Sequence, residues 1–184
     1  IFYFILGCFI VSISYIIITY NSLINFKNLV KNAWSQIDVQ LKRRYDLIPN
    51  LVNTASGYMK YEKSVLENVT KARSACMEAK SDDLASKAQA ENMLTQTLKS
   101  LFAVVENYPD LKADKNMIAL QEEITNTENK ISFARQYYND RVMLYNIKLE
   151  TFPTNFIAGI FNFEKTEFFQ VETKEEKQPV KVSF

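Results

Sequence analysis

The chain has 184 residues, with 22 Lys and Arg against 21 Asp and Glu, a formal net charge of +1 at pH 7, and no histidine. A charge balance this close to zero gives no basic surface for nucleic acid, so no nucleic-acid partner is predicted. Without histidine the chain lacks the usual general base at neutral pH and the commonest zinc ligand, and two cysteines give no disulfide framework. We therefore predict a protein that is not an enzyme and that has no catalytic residue, cofactor or metal.

The first element in chain order is an apolar helix. No charged residue occurs in residues 1–26, and the first twenty are aliphatic or aromatic apart from a few small side chains. About 20 such residues span the hydrocarbon core of a bilayer, so we predict a transmembrane helix over residues 1–22. A signal peptide is the first alternative, but the run does not end in a cleavage site of small residues. The second is a lipoprotein box at ILGC, which would place a lipid on Cys8, although the apolar run here mostly follows that cysteine.

The charges next to this helix bear on its orientation. Lys27 and Lys31 follow the span, and no acidic residue occurs before Asp38. Because positive residues beside a span tend to stay in the cytoplasm, this arrangement favours a cytoplasmic domain. Residues before Ile1 would count in the same comparison, so we predict a single-pass membrane protein and leave the side of the domain open.

Four amphipathic helices follow. Glycine and proline are scarce, and apolar residues recur every three or four positions, which is the spacing of one helix face. The four apolar stripes lie in residues 23–55, 65–79, 84–108 and 117–152. Polar separators lie in residues 57–62, 80–83 and 107–114. Because short connections make neighbouring helices antiparallel, the stripes predict an antiparallel bundle.

Pro49 lies inside the first stripe. The stripe keeps its phase across this residue, which predicts one continuous helix that bends there. Proline has no amide hydrogen, so the carbonyl of Tyr45, four residues earlier, loses its usual partner.

The predicted fold is all-α, with the N-terminal transmembrane helix continuing into an antiparallel up-down-up-down four-helix bundle. The bundle occupies residues 23–152. An aromatic membrane-proximal segment follows in residues 153–163, and a charged linker with an extended C-terminal tail occupies residues 164–184.

Five blocks of sequence carry a family resemblance. They are, in order, NAWSQIDVQLKRRYDLIPNLV, LFAVVENYPDLKA, TENKISFARQYYND, FPTNFIAGIFNF and PVKVSF. Together they resemble the LemA family of bacterial membrane-anchored proteins, and they extend over nearly the whole chain. The resemblance implies one N-terminal transmembrane helix in a bacterial membrane, followed by an antiparallel helical domain. It implies no catalytic activity, because the family has none established.

Charged residues on the apolar stripes predict ion pairs inside the bundle. Glu128 and Arg135 lie on or beside the stripe of the fourth helix. If the first and fourth helices are antiparallel, Arg44 lies at the same height along the bundle axis as about residue 132, and Asp38 at the height of about residue 138. The estimate is good to about one helical turn. Isolated charges in such a seam are costly, so we predict that Arg44 pairs with Glu128 and Asp38 with Arg135, fixing helix register. A ligand site is the alternative.

The same comparison of heights along the bundle axis places the aromatic segment beside the membrane. Phe152 falls opposite residue 24, close to the end of the span, so residues 152–163 are predicted to lie at the membrane surface. The alternative is a lid over the open end of the bundle core. The predicted membrane-interface residues are Lys27, Lys31, Phe152, Phe156, Ile157, Ile160, Phe161 and Phe163.

These features predict a non-enzymatic membrane-anchored scaffold or assembly protein of the bacterial envelope. Its partners would be membrane lipid, further copies of itself and other membrane proteins. Self-association is predicted because Gly7, Ser12 and Ser14 allow close helix contact in lipid. The alternative function is a sensory or regulatory subunit that binds a small ligand in the bundle core, which a deep polar cavity near Glu128 would support.

Overall fold

The structure is a computed structural model that describes residues 1–80 and 83–169. Its helices are α1 (Phe2–Ser56), α2 (Lys63–Glu78), α3 (Leu84–Val105), α4 (Pro109–Lys112), α5 (Lys115–Glu150) and α6 (Thr154–Ile160). No strand occurs in the described residues, which confirms the all-α prediction. The up-down-up-down order and the domain boundaries stay predictions, and the extended tail over residues 170–184 lies outside the described residues.

The helix ends follow local capping chemistry. Asp83 accepts a hydrogen bond from the amide of Ser86 at 2.9 Å and so caps the start of α3. Asp114 does the same for α5, accepting from the amide of Met117 at 3.0 Å. The third predicted separator contains a single helical turn, α4, because Pro109 has the fixed φ angle that suits the first helical position.

The N-terminal part of α1 is long and apolar enough to cross a membrane, with a mean hydropathy of 2.3 over its most apolar stretch. All side chains of residues 1–18 are exposed, so no other described part of the chain covers them. Burial begins at Thr19 and continues with Leu23. An apolar helix without protein packing is the form expected where lipid is the surrounding medium.

The chain forms two compact units. The first unit consists of Ile1–Val39 and Ser132–Phe168, and the second contains Gln40–Ile131 together with Phe169. The first unit thus holds the start of α1, the end of α5 and all of α6.

In the second unit, α1 and α5 run antiparallel. Arg44 contacts Glu128, and the hydroxyl of Tyr58, just after the end of α1, donates to Asp114 near the start of α5 at 3.2 Å. Helix α2 packs against α3. The apolar core of this unit is formed by Leu41, Ile48, Leu51, Ala55, Met59, Leu66, Val69, Ala72, Cys76, Ala88, Leu94, Leu98, Leu101, Val105, Leu111, Met117, Ile124 and Ile131.

In the first unit, α1 and α5 pack through an apolar seam. The rings of Trp34 and Tyr138 meet edge to face, with centroids 5.4 Å apart. The other buried apolar residues are Leu23, Val30, Ala33, Ile37, Val142, Tyr145, Leu149, Ile157 and Ala158.

The segment after α6 lies against α5 rather than leaving the unit. The side-chain amide of Asn146 donates to the carbonyl of Thr166 at 2.9 Å and accepts from its amide at 3.0 Å. The hydroxyl of Tyr138 donates to the carbonyl of Glu167 at 3.1 Å. These bonds satisfy backbone groups of an extended segment that has no strand partner, so the start of the predicted linker is held on α5.

Candidate functional site

A group of polar side chains surrounds Arg44 inside the second unit. Arg44 is fully buried, and its guanidinium forms ion pairs with Glu91 and Glu128 and donates to the hydroxyl of Thr95 at 3.0 Å. Thr95 donates in turn to Glu128 at 3.0 Å, and the hydroxyl of Tyr45 donates to Glu91. We call these five residues the Arg44 cluster. They join α1, α3 and α5.

The Arg44 cluster contains one predicted pair and one unpredicted partner. Arg44 and Glu128 meet as an ion pair, one helical turn from the level estimated from the sequence. Glu91 was not predicted, although it is fully buried. Its position was the available signal, because it lies three residues from both Ala88 and Leu94 on the apolar stripe of α3.

The electrostatics of the cluster keep Arg44 charged. Burial by itself lowers the pKa of Arg44, but the charges of Glu128 and Glu91 outweigh burial and raise the pKa above its ordinary value. Burial and the charge of Glu91 also raise the pKa of Tyr45, so its hydroxyl remains a hydrogen-bond donor. One cation is thus shared by two carboxylates, which leaves a formal charge of −1 on the three side chains. The side chain of Glu128 is 36% exposed and retains contact with solvent. The arrangement is suited to holding three helices together.

Cys76 lies next to this cluster, and its protonation couples stability to pH. Burial, followed by the charge of Glu91, raises the pKa of the Cys76 thiol from 9.0 to about 12. Between these values the unfolded chain has lost a proton that the folded chain retains, so the free energy of unfolding falls as pH rises. We expect this thiol to contribute a loss of up to about 1.4 kcal/mol per pH unit.

Denaturant unfolding in detergent, from pH 8 to pH 11, measures this loss. The control is Cys76→Ala, which lacks this thiol but retains every other group that loses a proton at alkaline pH. The stability of the wild-type chain should fall more steeply above pH 9 than that of the variant. Parallel curves for the two proteins would contradict the assignment.

The carbonyl that Pro49 leaves without an amide partner is used by another helix. Helix α1 continues unbroken through Pro49, as predicted. The Nε of Arg73, on α2, donates to the carbonyl of Tyr45 at 2.7 Å. A charged donor therefore replaces the missing backbone amide, and the proline becomes the place where α2 is attached to α1.

The predicted pair of Asp38 and Arg135 belongs to the first unit. Asp38 is exposed and Arg135 is half-buried. Their pairing stays a prediction.

A surface groove of about 600 Å³ lies in the second unit between the end of α1 and the start of α5. Its lining residues are Leu47, Asn50, Asn53, Thr54, Asn116, Ala119, Leu120 and Glu123. The groove is open to solvent and does not include Glu128, so it is not the deep polar cavity expected of a ligand-binding bundle core. Among residues 1–80 and 83–169, no three metal-binding side chains come together.

The predicted membrane-interface residues in and just before α6 lie on two different faces. Phe152, Phe156 and Ile160 are 74%, 63% and 73% exposed. Ile157 was predicted to face the membrane, but it is only 5% exposed. The reason is helical periodicity, because a residue next to Phe156 in sequence points about 100° away from it around the helix.

The remaining predicted interface residues surround the end of the apolar run. The rings of Phe161 and Phe163 lie on Tyr20, at centroid distances of 4.8 Å and 5.7 Å. The ammonium of Lys27 lies 5.9 Å from the centroid of the Phe163 ring. Lys31 is exposed one turn further along α1.

The helical fold and the uncovered apolar stretch of α1 define a membrane-associated helical protein. The LemA family model matches residues 33–184, and the chain belongs to the LemA family, which confirms the resemblance seen in the sequence. Protein LemA of Metamycoplasma hominis is 30% identical over 163 residues, covering 84% of this chain and 74% of that protein. Magnetosome protein MamQ 2 of Paramagnetospirillum magneticum is 24% identical over 182 residues, covering 86% of this chain and 67% of that protein. Magnetosome protein MamQ of Magnetospirillum gryphiswaldense is 22% identical over 181 residues, covering 85% and 66%.

Proposed function

We propose that this protein is a single-pass, non-enzymatic membrane scaffold of the bacterial envelope that acts through protein contacts, first of all with further copies of itself. The observation that carries this proposal is an apolar stripe on the outer face of α5. Phe133, Leu144 and Ile147 are 72%, 40% and 51% exposed. Their spacing places them on one side of α5, opposite the residues that face the core. We call them the outer stripe.

The outer stripe is confined to one part of α5. Earlier along the same face, the exposed residues are Ile118 near the start of α5 and then Glu122, Asn126 and Asn129. Exposed Gln136 and Asp140 lie between Phe133 and Leu144. Several large exposed apolar residues on one side of a helix are still more than solvation needs and suit a contact with another helix. The change therefore marks Ser132–Glu150 as the part of α5 suited to a partner.

A second copy is the partner that fits best. Two chains anchored in one membrane are already parallel and close together, so the outer stripe of one can meet the same stripe of the other about a twofold axis. The apolar part of α1 adds a compatible surface, because Gly7 and Ser14 lie on one side of the helix, two turns apart. A methyl group in place of the Gly7 hydrogen would have no heavy atom within 4 Å, so this face is open to a neighbouring helix.

A ligand-binding sensor is less well supported. The guanidinium of Arg44 already binds Glu91, Thr95 and Glu128, and among the polar atoms of the cluster only its buried Nε lacks a hydrogen-bond partner in the described structure. A site that recognises a ligand keeps some polar groups ready to bind it.

We expect the variant Leu144→Cys to form covalent dimers with a bismaleimide crosslinker in native membranes. The background is Cys8→Ser, and the remaining Cys76 is buried and does not react. Ser132→Cys is the matched control, because Ser132 is exposed on the same helix but about a third of a turn away around it. Phe133→Ser should reduce the yield from Leu144→Cys. Equal yields from Leu144→Cys and Ser132→Cys, or monomer alone at native expression, would argue against the scaffold.

A further inference from the structure

We propose that Phe152 and α6 form a lipid-contacting platform, with Phe152, Phe156 and Ile160 inserted into the headgroup region of the bilayer. The inference rests on the membrane anchor of the proposed function and adds a second membrane contact outside that anchor. We call the three residues the platform face.

The platform face is an ordered apolar surface that the described chain does not cover. Phe156 and Ile160 are four residues apart on α6, so they project to one side, and Phe152 precedes the helix. Each of the three is at least 63% exposed. The rings of Phe152 and Phe156 meet edge to face with centroids 5.8 Å apart. Three large apolar side chains held together in water would be unfavourable, which indicates that this face has a nonaqueous neighbour.

The opposite face of α6 fixes the platform to the protein. Thr154, Ile157 and Ala158 are buried. The helix ends with Asn162 at a φ of 53°, the left-handed conformation that Asn tolerates at this position. The amide of Phe163 then donates to the carbonyl of Ala158 at 2.9 Å. Because α6 is anchored on its inner side and closed at its end, the platform face cannot turn inward without breaking these contacts.

The aromatic contacts of α6 set its level along α1. Phe161 and Phe163 rest on Tyr20, which lies inside the charge-free run, and Phe163 also meets Lys27, the first charged residue after that run. Tyr20 and Lys27 are about 10 Å apart along the helix axis. Aromatic rings next to the first lysine mark the boundary between hydrocarbon and headgroups, so the platform lies at that boundary.

Lipid is the occupant that this level favours. An interfacial helix buries its apolar face by about 5–10 Å into the boundary between headgroups and acyl chains. A helix as short as α6 would bind a bilayer weakly by itself. The anchor removes this difficulty because it holds α6 beside the membrane at a high effective concentration.

Depth-dependent fluorescence quenching tests the platform. The full chain carrying Cys8→Ser and Phe156→Cys is labelled with bimane and reconstituted into vesicles of phosphatidylcholine and phosphatidylglycerol. Some vesicles contain lipid brominated close to the headgroup, and others contain lipid brominated deep in the acyl chain. We expect the label at residue 156 to lose more fluorescence with the shallow bromines than with the deep ones.

Two further labels separate this inference from the proposed anchor. Ile10→Cys lies in the apolar run and should be quenched most by deep bromines, whereas Asn126→Cys, exposed on α5, should not be quenched. If Ile10→Cys is quenched and Phe156→Cys is not, the platform is wrong and the anchor stands. If Ile10→Cys is not quenched, the anchor fails and the platform with it. Ile160→Cys repeats the measurement at another exposed position, so the result does not depend on one variant.

Discussion

Replacing Arg44 by alanine is expected to lower the free energy of unfolding by about 3–5 kcal/mol. The reason is the carboxylate of Glu91, which is fully buried and would lose its ion-pair partner. It would retain the hydroxyl of Tyr45 and the thiol of Cys76, and these neutral donors do not offset the cost of desolvating a charge. Denaturant unfolding in detergent, followed by far-ultraviolet circular dichroism, measures the change.

Arg43 is the matched control. It precedes Arg44 on α1 and forms an ion pair with Glu123, but its side chain is 52% exposed. Arg43→Ala should therefore change stability by less than about 1 kcal/mol, as is usual for exposed pairs. Comparable losses for Arg43→Ala and Arg44→Ala would show that burial does not determine the effect.

An apolar replacement of the whole cluster should reverse much of the loss. In the triple variant Arg44→Met, Glu91→Leu and Tyr45→Phe, no member of the Arg44 cluster is left as an unpaired buried charge, and Glu128 retains Thr95 and solvent. Replacing a buried ion pair by apolar groups of similar volume is often neutral, whereas removing one member is not. The triple variant should consequently be more stable than Arg44→Met alone. A loss equal to the sum of the three single variants would contradict the cluster.

The sequence predicted the Arg44 pair because both residues could be placed from periodicity. Arg44 and Glu128 interrupt apolar stripes on helices that were expected to be antiparallel, so their levels could be compared. Glu91 also interrupts a stripe. The stripe of α3 is recognisable from its apolar residues alone, so the charged residue within it was overlooked. A buried charge is revealed by the position it occupies and by a partner of opposite charge on another helix.

Helix α6 shows a different limit. The sequence indicated where residues 152–163 lie, since the length of α5 determines how far the chain returns toward the end of the span. It did not indicate a helix, because two turns are too short for a periodic signal. Without that helix the assignment of inner and outer residues was not possible, and Ile157 was placed on the wrong face.

Pro49 shows what periodicity cannot supply. The loss of an amide donor to Tyr45 follows from the covalent structure of proline and could be predicted. Its replacement could not, because Arg73 is 28 residues further along the chain and approaches through the packing of α2 on α1. No local pattern distinguishes this arginine from the other basic residues of α2.

This contact leads to the second large expected effect. Arg73→Ala should lower the free energy of unfolding by about 1.5–3 kcal/mol, the range for a hydrogen bond to a charged group. In the Pro49→Ala background the cost of the same change should be smaller by about 1–2 kcal/mol, because an amide at residue 49 can then donate to the Tyr45 carbonyl. The four proteins of this double-mutant cycle are compared by denaturant unfolding in detergent.

Lys71 provides the control for the cycle. It is exposed on α2, two residues before Arg73, and no hydrogen bond from it to α1 occurs among the described residues. Lys71→Ala should cost the same in the wild-type and Pro49→Ala backgrounds. If Arg73→Ala also costs the same in both, the arginine does not compensate for the proline. The expected result is that Pro49→Ala lowers the cost of Arg73→Ala and leaves the cost of Lys71→Ala unchanged. Pro49 in α1 and the donor Arg73 in α2 then act as one structural unit. That unit holds α2 at the turn of α1 next to the Arg44 cluster.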